Sequence, residues 1–202
     1  MKLEKEILDV IIIGGSFAGL SAAMTLGRSL RNVLIIDANE SCNRFALEAH
    51  NFITQDGVPP NKIRAVALDQ VLSYPTVSLL NDFVQNISIE EQYFHIETLA
   101  KKQFISKKLI IATGLKDVLP EKDGFLDCWG KSIVHCPYCH GYESRNQITG
   151  ILSNGEDTID FIKVIKNWSS EIILFTEGTP RFDLSMRPFS NIKYYTPIVE
   201  KA

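Results

Sequence analysis

The sequence has little cysteine: four residues in 202, of which only Cys136 and Cys139 stand close together. A small secreted domain stapled by several disulfides is thereby excluded, and a single close pair fits the reducing cytoplasm. Excess charge is also lacking. A net charge of −3 gives no electrostatic ground for nucleic acid or anionic membrane as a partner. No apolar run reaches the roughly 20 residues of a membrane span. The amino terminus is charged from Met1 to Glu6, and the apolar stretch after it is interrupted by Asp9 and ends in glycines, so a signal peptide is not expected. What remains is ordinary for a soluble globular chain, 45% hydrophobic and 22% charged, long enough for one large domain or one and a half smaller ones.

The first organised stretch is Ile7 to Ile13, mostly β-branched and closed by glycine, which reads as a fully buried strand. Gly14-Gly15-Ser16-Phe17-Ala18-Gly19 follows, and then small and apolar residues at Leu20, Ala23, Met24, Gly27 and Leu30 describe a helix packed tightly on a sheet. A second strand, Val33 to Ile36, ends at Asp37. Strand, glycine turn, helix, strand and acid together form a dinucleotide-binding βαβ pattern. Gly14 makes the turn, and the backbone N–H groups through Gly15, Ser16, Ala18 and Gly19 at the helix start attract a pyrophosphate. Gly19 lets the helix close on the strand. Asp37, 23 residues beyond Gly14, is placed for ribose hydroxyls. Ser16 departs from the pattern, standing where glycine usually allows the closest approach.

Residues 40–60 form a long polar stretch without periodicity, carrying Asn43, Arg44, His50 and Asn51, and loops of that length are more often functional than not. Pro59-Pro60-Asn61 opens a helix with Ile63, Val66, Ala67 and Val71 on one face. Short strands are expected from Val77 to Ile111, including the alternating Tyr93–Thr98, where His95 reads as structural. Leu109 to Ile111 reads as a buried strand running into Ala112-Thr113-Gly114, small residues that let a ligand approach the sheet edge. Residues 115–120 look like a crossover, with the boundary between a domain of 1–116 and one of 117–202. The second domain shows strand Ile148–Leu152, turn Ser153–Thr158, a helix with Ile159, Ile162 and Ile165, strand Ile172–Phe175, a turn from Ser185 and a short strand near Lys193–Tyr195. It is a second βαβ unit whose phosphate turn has lost its first and third glycines to Ser153 and Thr158.

Between these units stands Cys136-Pro137-Tyr138-Cys139-His140-Gly141-Tyr142-Glu143. A Cys-x-x-Cys can close a small disulfide that thiols open. Pro137 suits the first turn of a helix, which would put Cys136 at the positive end of a helix dipole and favour its thiolate. His135 and His140 flank the pair as candidate proton carriers. Three other readings stay open: two inert buried cysteines, the C-x-x-C-H haem attachment string, and zinc held by His135, Cys136, Cys139 and His140. No metal site is the preferred expectation.

Two βαβ units with a CxxC at the start of the second resemble the low-molecular-weight thioredoxin reductase family of flavoproteins, within the pyridine nucleotide-disulfide oxidoreductases. The likeness spans nearly the whole chain and rests on the Gly14–Gly19 turn, Asp37, Ala112-Thr113-Gly114 and Cys136/Cys139. Cys-Pro-Tyr-Cys-His-Gly-Tyr-Glu is more similar to the branch holding the fungal dithiol oxidases, since His140 stands where ordinary thioredoxin reductases carry aspartate. The resemblance implies an α/β fold of two Rossmann-like units, the first an FAD domain with a small antiparallel β insertion, and a homodimer. It implies FAD with its pyrophosphate at Gly14–Gly19 and its ribose at Asp37, and Asn43, Arg44 and Asn51 toward the flavin. Cys139 would face the isoalloxazine, Cys136 would meet the substrate sulfur, and His140 with His135 would move protons. The family returns to its first domain through a Gly-Asp motif over the flavin; this sequence reaches Ala202 without one, so a chain lacking that segment is expected. The eroded second turn leaves NAD(P)H open and leans toward a dithiol oxidase over an NAD(P)H-dependent thioredoxin-disulfide reductase; a non-enzymatic nucleotide- or zinc-binding remnant is the alternative of another class. A thioredoxin-like protein or a small-molecule dithiol is the implied substrate.

Overall fold

The computed structural model describes residues 7–183 and 192–200; the turn read from Ser185 lies outside them. The chain divides into two compact units, Met1–Arg44 with Val58–Asp117, and Phe45–Gly57 with Val118–Ala202. The polar segment Phe45–Gly57 thus groups with the second unit, although in sequence it interrupts the first.

In the first unit, β1 (Ile7–Ile13), α1 (Phe17–Arg28) and β2 (Val33–Asp37) form the expected βαβ unit, followed by a 3-10 turn (Cys42–Phe45), α2 (Pro60–Leu72), β3 (Val77–Asn81), β4 (Val84–Glu90), β5 (Tyr93–Thr98) and β6 (Gln103–Ile111). The sheet order is β3-β2-β1-β6-β5-β4. Its first four strands are parallel, and β4-β5-β6 add an antiparallel meander. Because parallel strands are covered on both sides, all five residues of β2 are buried. Val10, Ile12, Val33 and Ile35 pack with Leu20, Ala23 and Val71, while Ile11, Leu34 and Ile36 pack with Ile96 in a second cluster. Each fully buried isoleucine contributes about 1.5–3 kcal/mol relative to exposure.

Four residues expected inside lie outside. Ile7 is 39% exposed and Ile111 67%, because they are the outer ends of β1 and β6. Leu30 is 81% exposed: α1 has ended at Arg28, and a left-handed turn at Leu30 (φ 57°) takes it off the helix face. Val66 is 57% exposed because the buried stripe of α2 steps by four residues, through Ile63, Ala67 and Val71.

The second unit contains two one-turn helices, α3 (Phe125–Cys128) and α4 (Pro137–His140), then β7 (Thr149–Leu152), α5 (Thr158–Ile165), β8 (Ile172–Phe175) and β9 (Lys193–Tyr195). Strands β7, β8 and β9 are parallel, in that order. Ile151, Ile162, Ile165, Ile172 and Leu174 make the core between α5 and the sheet. No helix among the described residues is long and apolar enough to cross a membrane.

Candidate active site

The turn between β1 and α1 is shaped for the backbone of a ligand. Gly14 has φ +104°, and a Cβ there would lie 2.2 Å from the Ala112 carbonyl oxygen. The end of β6 is thereby brought against the turn, with Ala112 N–H donating to the Ile13 carbonyl at 2.8 Å. Thr113 and Gly114 follow directly, completing with Ala112 the small-residue edge that the sequence suggested. A Cβ at Gly19 would stand 1.8 Å from the Gly14 carbonyl oxygen, so only glycine permits α1 to close on the strand. Ser16 is the N-cap but makes no side-chain capping bond, and the first-turn N–H groups of a helix, through Ala18 and Gly19, have no carbonyl behind them.

Asp37 ends β2 almost wholly buried. One of its oxygens accepts the Gly15 N–H at 2.9 Å, and the other pairs with the guanidinium of Arg64. Arg64 also donates through Nε to the Gly15 carbonyl at 2.8 Å. The acid assigned to ribose is therefore also the internal brace of the turn; each carboxylate oxygen keeps acceptor capacity for a further donor. Arg64 was not singled out in the sequence. Its one signal is position, beside the buried Ile63 on α2.

In the second unit Cys136 and Cys139 form a disulfide, with Cα atoms 5.3 Å apart, inside the usual range. Cys136 is the N-cap of α4 and Pro137 its first residue, as expected. Since α4 is a single turn of four residues, the dipole expected to favour the Cys136 thiolate is small. Trp168 holds this turn in place. Its ring meets the Tyr138 ring edge-on, 5.3 Å between centroids, and a Cβ on Gly141 would lie 2.8 Å from it and 2.4 Å from the Pro137 carbonyl oxygen. Gly141→Ala is expected to cost about 1–3 kcal/mol of stability by overpacking, read by thermal unfolding, and to accelerate opening of the disulfide by dithiothreitol. A variant with unaltered melting and unaltered opening would show that the contact is idle.

The two histidines differ. His135 is exposed and stacks on Trp129 at 5.5 Å, which itself stacks on Phe125. His140 is half-buried, and its pKa is lowered chiefly by that burial, with the charges of His50 and His135 acting the same way and Glu143 acting against them. It is therefore neutral at neutral pH and able to take a proton. Among the described residues no three His, Cys, Asp or Glu side chains converge to hold a metal, so the four zinc donors suggested by spacing do not meet.

Of the loop residues, Arg44 donates to the carbonyls of Ser41 (2.9 Å) and Glu40 (3.3 Å). Asn43 lies half-buried in the 3-10 turn. Asn51 donates its side-chain amide to the Tyr138 carbonyl, inside the disulfide turn.

Comparison with known proteins then decides the lineage. Residues 8–149 match the pyridine nucleotide-disulphide oxidoreductase family. The chain belongs to that family. It is 31% identical over 191 residues to thioredoxin reductase aclD of Aspergillus oryzae, across 90% of this chain and 60% of that one. With thioredoxin reductase tcpT of Claviceps purpurea the identity is 36% over 153 residues, 74% of this chain and 48% of the other. The chain thus spans about half the length of the curated relatives it matches. An oxidoreductase from Agrobacterium tumefaciens superposes with TM-score 0.90 at 36% identity, covering 97% of this chain and 67% of that structure. Pyridine nucleotide-disulphide oxidoreductases of this thioredoxin reductase-like kind are flavin-dependent, with FAD as the resident cofactor.

For a member of a family named after pyridine nucleotides, the second βαβ turn is occupied by its own side chains. Ser153 and Thr158, in place of two glycines, share a hydroxyl–hydroxyl bond of 2.7 Å, and Thr158 is fully buried. The turn also carries Glu156 and Asp157 at the start of α5. Beyond β8, Glu177 pairs with Lys122 and accepts the Val199 N–H at 3.0 Å. The hydrogen bond from Lys122 holds its carboxyl below the ordinary value for glutamate. Asn154 ties the two turns, donating to the Thr179 carbonyl at 3.2 Å and accepting the Arg181 N–H at 2.9 Å.

Proposed function

We propose that the chain carries the thiol–disulfide chemistry of a flavin-dependent oxidoreductase and runs in the oxidising direction, converting a substrate dithiol to a disulfide. The observation that carries this reading is the partly exposed Cys136–Cys139 disulfide with His140, a neutral proton acceptor, next to it in the same turn. A substrate thiolate attacks Cys136 Sγ, the Cys136–Cys139 bond breaks, and its electron pair leaves on Cys139. His140 takes the proton of the attacking thiol and returns one to Cys139. The second substrate thiol then attacks the mixed disulfide, Cys136 leaves as thiol, and the substrate departs oxidised by two electrons. His135, exposed beside the pair, is the second proton carrier of the proposal.

FAD would be held by the backbone at Gly14, Gly15, Ser16, Ala18 and Gly19, with Ala112, Thr113 and Gly114 alongside and Asp37 for the ribose; Asn43 and Arg44 complete the set in the first unit. The fit rests on the side-chain-free cradle at Gly14 and Gly19. When bound, FAD supplies the two-electron acceptor that returns the cysteine pair to its disulfide, with dioxygen as terminal oxidant.

The direction is supported by the second turn. A pyrophosphate there would meet Glu156 and Asp157, and a 2′-phosphate would meet Glu177, whose Oε1 already accepts from Lys122 and the Val199 N–H. The names of the relatives favour the opposite reading, an NAD(P)H-dependent reductase of a thioredoxin-like protein, and one experiment separates the two. FAD-loaded protein is titrated without oxygen, first with NADPH, then NADH, then a dithiol, while the flavin absorbance is followed. Bleaching by the dithiol alone, reversed by air, is expected. Bleaching by either nicotinamide would make the chain a reductase, and failure to retain FAD would refute a flavin-dependent activity for it. The substrate is proposed to be a small-molecule dithiol or a thioredoxin-like protein, and the assembly a homodimer.

A further inference from the structure

His50 has no part in the chemistry above, yet its surroundings are unusual for a loop residue. Its side chain is only 18% exposed, with Nδ1 3.4 Å from Asp56 Oδ1 and Nε2 3.6 Å from both Glu48 Oε2 and Glu143 Oε1. The loop around it is closed on itself: Asp56 accepts the Asn51 N–H at 2.9 Å, and Gly57 N–H donates to the Ala49 carbonyl at 2.8 Å. Two adjacent residues then reach the disulfide segment, His50 to Glu143 and Asn51 to the Tyr138 carbonyl. Glu143 stands three residues after His140, and its side chain is 45% exposed. An exposed glutamate samples many rotamers and screens its own charge in water, so its effect on a neighbour depends on what holds it.

We infer that His50 is a positioning residue: it fixes the Glu143 carboxylate so that this charge stabilises the imidazolium formed when His140 takes a thiol proton. The role presupposes the redox use of Cys136–Cys139 proposed above. Of the groups acting on His140, Glu143 favours the protonated ring, while burial and, when they are protonated, His50 and His135 oppose it. A carboxylate held by His50 on the same turn as His140 would favour protonation of that half-buried ring, the usual task of a third group behind a general base.

The test is an NMR titration of the His140 ring in the full chain, with the resonance assigned by His140→Gln among the four histidines. It needs neither flavin nor turnover, so it stays readable if the oxidase reading fails. Glu143→Gln is expected to lower the His140 midpoint by about half a pH unit or more. In a His50→Gln background the same Glu143→Gln change should shift it by less than half as much. An equal shift in both backgrounds would show that His50 does not position Glu143, and no shift in either would remove Glu143 from the proton chemistry; both overturn the inference. His50→Asn, which keeps a polar side chain of similar width, serves as the background if His50→Gln does not fold.

Discussion

Cys139→Ser is expected to abolish dithiol-driven reduction of the FAD-loaded protein, by at least about a thousandfold, in line with the loss of other covalent nucleophiles. A serine hydroxyl cannot form the disulfide, so Cys136 is left as a lone thiol with no bond for a substrate thiolate to break. The substitution is otherwise mild. Serine is close in size to cysteine, and the backbone bond from residue 139 N–H to the Cys136 carbonyl, 3.2 Å, does not involve the side chain. Flavin content should be unchanged, since the glycine turn belongs to the first unit. A second readout follows from the chemistry: Cys136 in the variant should form a mixed disulfide with an added oxidised thiol that no internal thiol then resolves, visible by intact mass. Undiminished bleaching in Cys139→Ser would end the proposed mechanism.

Gly14→Ala is the second large effect expected. A side chain there meets two penalties together. The backbone sits at φ +104°, which L residues reach at a cost of about 1–3 kcal/mol. The new Cβ would also fall 2.2 Å from the Ala112 carbonyl oxygen and 2.8 Å from its carbon, both backbone atoms that no rotamer change can move. Either the turn or the end of β6 has to shift, and both are proposed to touch FAD. A loss of about 2–4 kcal/mol in stability is expected, combining strain with overpacking, together with at least a hundredfold weaker flavin retention. Gly114→Ala is the control: its φ is also positive, at 66°, but a Cβ there meets nothing within 4 Å. As a control for stability, it should lose only the left-handed preference, about 1–2 kcal/mol. Flavin-to-protein absorbance ratios and melting curves of the two variants decide; equal flavin retention in Gly14→Ala and the parent would refute the cradle.

By itself the sequence determined the two βαβ units and the order of their elements, though not the one-turn helix Phe125–Cys128 or the 3-10 turn Cys42–Phe45. Continuous β-branched runs such as Val33–Ile36 can be satisfied only between two covering layers, and glycines at 14 and 19 restrict the intervening turn, so the first βαβ unit follows from local chemistry. The second unit and the CxxC turn follow in the same way, from Ile172–Phe175 and from proline after Cys136. What the tertiary structure decided are matters of distance between residues far apart in sequence. Arg64 braces Asp37 across 27 positions; Trp168 covers Gly141; His50 reaches Glu143 from a loop without any periodic signal. The exposure of Leu30, Val66 and Ile111 likewise depended on where a helix or strand ended and how a helix stripe precessed, which residue type does not encode. Side-chain type announces what a group can do, but a charge pair or a covering ring exists only once the chain has closed a long loop. Whether His140 has a carboxylate held beside it is therefore a property of the fold, not of the string Cys-Pro-Tyr-Cys-His.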